Sequence, residues 1–176
     1  MIDKEIDALI REVVDFPKKG ISFKDITPLL MDKNISDKII LEFKSRIMDL
    51  DIDAVVGIES RGFLYGFLLA NKLGVPFIPI RKSGKLPGET IKYKYDLEYG
   101  SSEVEIHKDD IKKDWNVLIH DDLLATGGTA CAAAELINLS GANVAGFTFI
   151  VSLDFLSPKK TLFKYSSNIF NLVEYK

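Results

Sequence analysis

The sequence predicts an α/β fold, a doubly wound and mostly parallel sheet with helices on both faces and an inserted β-hairpin. Three observations carry this. Short apolar runs at 53–58, 75–80, 116–120 and 143–153 alternate with helical patterns, the signature of strands joined by crossover helices. Residues 116–139 run from an apolar strand through Asp121-Asp122 and a glycine loop into the helix formers of 130–139. The chain has 176 residues, 47% hydrophobic and 28% charged, which suits one domain around one sheet, residues 1–176.

Each element has its own signal. Ile2, Ile6, Leu9, Ile10, Val13 and Val14 recur at helical spacing, predicting an amphipathic first helix that ends before Phe16-Pro17. Residues 21–27 read as extended up to Pro28. Ser36-Asp37 is a helix start for 38–50, where Ile39, Ile40, Phe43 and Ile47 form one stripe. The strand 53–58 leads through Glu59-Ser60-Arg61-Gly62 into a helix ended by Gly74. Strand 75–80 meets a basic, breaker-rich loop, Arg81 to Gly88, before the alternating runs 90–98 and 102–107 make a hairpin. After the glycine-loop unit come a strand at 143–153, a short helix opened by Ser157-Pro158, and a closing strand at 168–175.

The stretch 117–129, VLIHDDLLATGGT, organises the rest. Asp121 and Asp122 are expected where the strand ends, and Gly127 and Gly128 allow positive φ and close backbone approach. The free N–H groups opening the next helix sit at the positive end of its dipole, so loop and helix together form a phosphate cradle. Two carboxylates beside a phosphate would repel it unless they address hydroxyls or act through a metal. A ribose 5-phosphate meets both conditions. The stretch is neither GxxxxGK[ST] nor GxGxxG.

Composition excludes other classes. Net charge is −3, so no global attraction to nucleic acid or anionic membrane is expected. The single cysteine, Cys131, rules out internal disulfides and a Cys-based zinc site. An amino terminus carrying Asp3, Lys4 and Glu5, with no apolar run near eighteen residues, argues for a cytoplasmic protein with neither signal peptide nor membrane span.

The stretch 117–129 resembles the phosphoribosyl pyrophosphate (PRPP) motif of the type I phosphoribosyltransferases. FPKKGISFKDITPLL, GIESRGFLYG and IRKSGKLPGETIKYKYDLEYG narrow the resemblance to the members of that family that use adenine, and it spans about residues 16–175. It implies a hood and base-binding segment at 1–35, a flexible flap at 81–109, and transfer of phosphoribose from PRPP to adenine with release of AMP and pyrophosphate. Asp121, Asp122, Ala125, Thr126, Gly127, Gly128 and Thr129 would hold phosphate and ribose. Ser60, Arg61, Arg81, Lys85 and Tyr99 would hold pyrophosphate, with a non-proline cis bond at Glu59–Ser60. Phe23 would stack on adenine while the backbone of Ser22 and Lys24 reads its edge. Glu98, with Arg61 and Arg81, would serve catalysis, Glu98 as the acid/base carboxylate. The cofactor implied is Mg²⁺, held mainly by PRPP near Asp121 and Asp122 with no direct protein ligand, and the implied assembly is a homodimer. Two positions depart from the family: Lys24 stands where arginine is usual, and His120, expected to pack in its strand, where an aliphatic residue is usual. Transfer to hypoxanthine/guanine, xanthine or orotate, and a non-catalytic PRPP-binding regulator, stay open as alternatives.

Overall fold

The computed structural model describes residues 2–96 and 100–176. The sheet is built outward from β3 (Ala54–Ile58), whose residues are all buried. It pairs in parallel with β4 (Phe77–Lys82) on one side and β7 (Asn116–Leu124) on the other. Beyond β7 lie β8 (Asn143–Leu153) and β9 (Ile169–Tyr175), also parallel. Beyond β4 the hairpin β5 (Thr90–Asp96) and β6 (Ser101–His107) adds two antiparallel strands, giving the order β5-β6-β4-β3-β7-β8-β9.

Side chains alternate between the two faces of a strand, and here the alternation divides the core. Ala54, Val56, Ile58, Val117, Ile119, Phe147 and Phe149 pack under α5 (Gly128–Leu139). Val55, Leu118, Ile150 and Val151 face α1 (Ile2–Leu9), α3 (Lys33–Arg46) and α4 (Gly62–Leu73) through Ile6, Phe43, Tyr65 and Leu69. Helices therefore cover both faces, as expected. Gly74 ends α4 in the left-handed region at φ 75°. A short helix, α6 (Lys159–Leu162), follows β8. Among the described residues no helix is long and apolar enough to cross a membrane.

Three boundaries differ from expectation. The first helix stops at Leu9, and Arg11–Val14 is instead a strand, β1, paired antiparallel with β2 (Ser22–Asp25) as a separate two-stranded sheet. The β-branched Val13 finds a cross-strand partner in Phe23, and this tertiary pairing overrides the helical spacing. Next, α3 starts at Lys33 because the Asp32 carboxylate accepts from the N–H groups of Asn34 and Ile35. Ser36 lies inside the helix, its hydroxyl donating to Leu29 O at 2.8 Å. A helix of five residues, α2 (Thr27–Met31), carries Pro28 in its first turn. Finally, Arg81 and Lys82 belong to β4, paired with Glu105 and Val104, so the loop opens two residues later than predicted.

Candidate active site

At the carboxyl ends of β3 and β7 lies a cavity of about 510 Å³, with Ser60, Arg61, Lys82, Asp121, Asp122 and Thr129 in its wall. A smaller recess of about 80 Å³ adjoins it over residues 123–130. The two share Asp121, Leu123, Ala125 and Thr129, and Thr126, Gly127 and Gly128 line the recess. The acid pair does not follow the strand, as expected, but sits within it, since pairing with β8 continues through Leu124. Strand geometry therefore holds both carboxylates.

Gly127 turns at φ 87° ahead of α5, and a Cβ there would lie 2.7 Å from Thr161 Oγ1 and 3.1 Å from Pro158 O. Glycine is thus required at Gly127 by conformation and by crowding from the α6 side. Gly128 is different: a Cβ there would meet only ordinary contacts at 3.8 Å. Gly62 opens α4 directly against the acid pair, where a Cβ would be 2.8 Å from Asp121 Oδ1 and 2.9 Å from His120 O.

Arg61 joins the parts. Its Nε donates to Asp122 Oδ2, and its guanidinium carbon lies 5.4 Å from the centroid of the Phe23 ring. Burial works against the Arg61 charge, but the bond to Asp122 and the fields of Asp122, Asp121 and Asp25 outweigh it. Asp121 is held well above the ordinary carboxylate range, first by burial and then by the neighbouring charge of Asp122. Asp121 Oδ1 accepts from Asp122 N at 2.9 Å. Among the described residues no group of three His, Cys, Asp or Glu side chains is placed to cage a metal ion.

The peptide Glu59–Ser60 is cis. Arg81 is not in the cavity wall itself but pairs with Glu59, which is, with Nε 3.1 Å from Oε2 and an Nη2 contact of 3.5 Å to Oε1. Lys85 is likewise outside the wall, and its backbone N–H donates to Glu105 at 2.8 Å. Lys82 occupies the wall instead. Register explains the exchange: on β4, alternation sends Arg81 and Lys82 to opposite faces. Sequence reading also missed Glu105, which is buried and takes the N–H groups of Lys85 and Leu86 with the Thr90 hydroxyl. These bonds outweigh burial and hold its carboxyl below the usual range. Strand alternation gave no signal for it, since Glu105 is in step with Glu103 and His107 and out of step with the core residues Val104 and Ile106.

In the hood, Phe23 meets Phe16 edge-to-face at 5.2 Å. The Ser22 hydroxyl donates to Glu12. Lys24 Nζ lies 3.0 Å from Glu12 Oε1 and 4.5 Å from the Tyr175 ring centroid, so its side chain is engaged away from Arg61. His120 is fully buried, with Nδ1 3.0 Å from Thr148 Oγ1 and the Phe43 ring edge-on at 5.6 Å. It is absent from the cavity wall, and burial pushes its pKa down to about 3. Glu98 and Tyr99 lie outside the described residues.

A cradle at a helix amino terminus, two carboxylates within one strand and a guanidinium between them and an aromatic ring can together take a phosphorylated pentose. The phosphoribosyl transferase domain family matches residues 29–173. The adenine phosphoribosyltransferase of Alkaliphilus metalliredigens is 53% identical over 161 residues, 92% of this chain and 95% of that protein. Among solved structures, adenine phosphoribosyltransferase from Thermoanaerobacter pseudethanolicus superposes with a TM-score of 0.95 at 45% identity, covering 99% of this chain and 100% of that one. The Saccharomyces cerevisiae enzyme, solved with adenine and an imino-altritol bisphosphate, gives 0.90 at 40% identity over 97% and 98%. The chain belongs to the adenine phosphoribosyltransferase family of phosphoribosyl transferase domains.

Proposed function

We propose that the protein transfers the 5-phosphoribosyl group of PRPP to N9 of adenine, releasing AMP and pyrophosphate. The observation that supports this reading is Arg61, bonded to Asp122 and set over Phe23, as a phosphoribosyl site beside a base site would require. In this reading Ala125, Thr126, Gly127, Gly128 and Thr129 take the 5′-phosphate at the amino terminus of α5. Asp121 and Asp122 accept bonds from the ribose hydroxyls. Ser60 and Arg61 hold pyrophosphate, with Lys82 beside them and Arg81 and Lys85 reaching it once released from Glu59 and the Glu105 loop. Phe23 stacks on adenine between the backbones of Ser22 and Lys24. The bond from N9 to C1′ forms as the bond from C1′ to pyrophosphate breaks, and the N9 proton passes to Glu98. Orientation and charge supply most of the rate.

Two carboxylates, one already tied to Arg61, suit an ion whose remaining donors come from ligand and water. Mg²⁺ fits there as a PRPP-borne ion, and it would neutralise charge growing on the leaving pyrophosphate. Residues 1–35 act as the base-binding hood and 81–109 as the flap, within one domain in the cytoplasm, where phosphorylated sugars are made. A homodimer is part of the reading, supported by Leu64, Phe67 and Leu68 exposed on one helix, α4. Phe67→Glu should then yield monomers by light scattering.

The test is AMP formation from adenine and PRPP with magnesium. Folded protein that binds PRPP yet forms no AMP would favour the non-catalytic regulator.

A further inference from the structure

Two hydroxyls join the hairpin to the phosphate loop. Tyr95 on β5 has its hydroxyl 3.2 Å from Thr129 Oγ1. Its ring lies 3.8 Å from where a Cβ on Gly128 would stand. Strand alternation explains the placement: Tyr93 and Tyr95 are half-buried while Lys92, Lys94 and Asp96 are exposed. Thr129 lies in the first turn of α5 and lines both the cavity and the recess. Tyr95 and its cross-strand partner Ser102 stand in the same cavity wall.

We propose that Tyr95 is a positioning residue whose hydroxyl orients that of Thr129 toward the 5′-phosphate, tying occupancy of the phosphate loop to strand β5. The proposal rests on the phosphoribosyl reading of the site and adds a residue to it. In the empty loop either hydroxyl can donate to the other, because each carries one donor and two lone pairs. A phosphate oxygen can only accept. Once Thr129 donates to it, the Thr129 lone pairs face Tyr95, and the direction becomes fixed from Tyr95 through Thr129 to phosphate. A bond to an anion is stronger than a neutral one, and a chain of such bonds reinforces itself.

The experiment titrates ribose 5-phosphate, and separately adenine, into wild type, Tyr95→Phe, Thr129→Ala and the double variant by calorimetry. Tyr95→Phe keeps the ring over Gly128 and removes only the hydroxyl. It should weaken ribose 5-phosphate roughly five- to tenfold, as expected for one hydrogen bond coupled to a charge, and leave adenine within about twofold. On the Thr129→Ala background its effect should fall below about twofold, whereas on Thr129→Ser the full effect should return. In turnover, KM for PRPP should rise with kcat little changed. An equal loss on every background, or equal weakening of adenine, would overturn the coupling and leave Tyr95 as packing. If Thr129→Ala binds too weakly to titrate, the Thr129→Ser background and the split between KM and kcat decide. Wild type that binds no ribose 5-phosphate would instead defeat the phosphoribosyl reading itself, a result visible before any variant is made.

Discussion

The phosphoribosyl half of the site and the base half are built in opposite ways. Asp121, Asp122 and the glycine loop extend the central strand β7 and the helix that follows it, with Asp122 only 4% exposed. Phe23 and its neighbours lie on a two-stranded sheet outside the main one, among side chains as exposed as Val14 at 70% and Phe16 at 51%. One half is therefore core as well as site. The other is a surface attachment touching it through Arg61, and tied to the last strand of the main sheet by Lys24 over the Tyr175 ring. Changes in the first half should move stability and binding together, while changes in the second should move binding alone.

The largest effect should follow Asp122→Ala. Breaking a buried ion pair costs about 3–5 kcal/mol, but the Arg61 side chain is 43% exposed. Solvent screening reduces the expectation to about 2 kcal/mol in denaturant unfolding. Affinity for PRPP should fall with it, because Arg61 loses its anchor. Unchanged stability would mean that the pair is a surface contact and would break the contrast between the halves.

His120 tests the core side with pH. Its pKa is about 3 in the fold against 6.5 unperturbed, so the unfolded chain binds the proton first. This contribution is whole above pH 6.5 and is lost as pH falls from 6.5 toward 3, at about 1.4 kcal/mol per unit. Between pH 7 and 5 the protein should lose about 2 kcal/mol by this route. His120→Leu should flatten the dependence by that amount, and equal acid slopes in the two proteins would exclude it.

Phe23→Ala probes the attached half. Stacking of a base on an aromatic ring is worth about 1–3 kcal/mol by alanine substitution, so KM for adenine should rise roughly five- to 150-fold. Stability should change by less than about 1 kcal/mol, since the ring belongs to an isolated hairpin. A melting temperature that falls as far as that of Asp122→Ala would show the hood to be structural.

The same contrast governs what could be read from sequence. The order of strand, acid pair, glycine loop and α5 was legible because neighbouring residues build it, though β7 runs on through Asp121 and Asp122 to Leu124 by pairing with β8. The β1 strand was not, since Val13 and Val14 fit helical spacing until Phe23 and Ser22 pair with them. Arg81 and Lys85 were expected at pyrophosphate because they are basic. Which lysine faces the cavity depends on register with β6, and that pairing spans more than twenty residues of chain. Tyr95 is marked only by its inward position on an alternating strand, and Glu105 by nothing local, because it is in step with Glu103 and His107 and is buried by the chain of residues 85–90 that bonds to it. The cap at Asp32, in contrast, competed with an equally good local signal at Ser36, and Ser36 was drawn to Leu29 and Tyr65.

The most direct measurement is kcat/KM for adenine against hypoxanthine, guanine and orotate, with PRPP and magnesium held saturating. A site that reads the adenine edge with backbone groups should prefer it over hypoxanthine by at least about a hundredfold. In Phe23→Ala the rate constant with adenine should fall while ribose 5-phosphate still binds as in wild type. Comparable kcat/KM values for adenine and hypoxanthine, or loss of ribose 5-phosphate binding in Phe23→Ala, would contradict a base site built separately from the phosphoribosyl site.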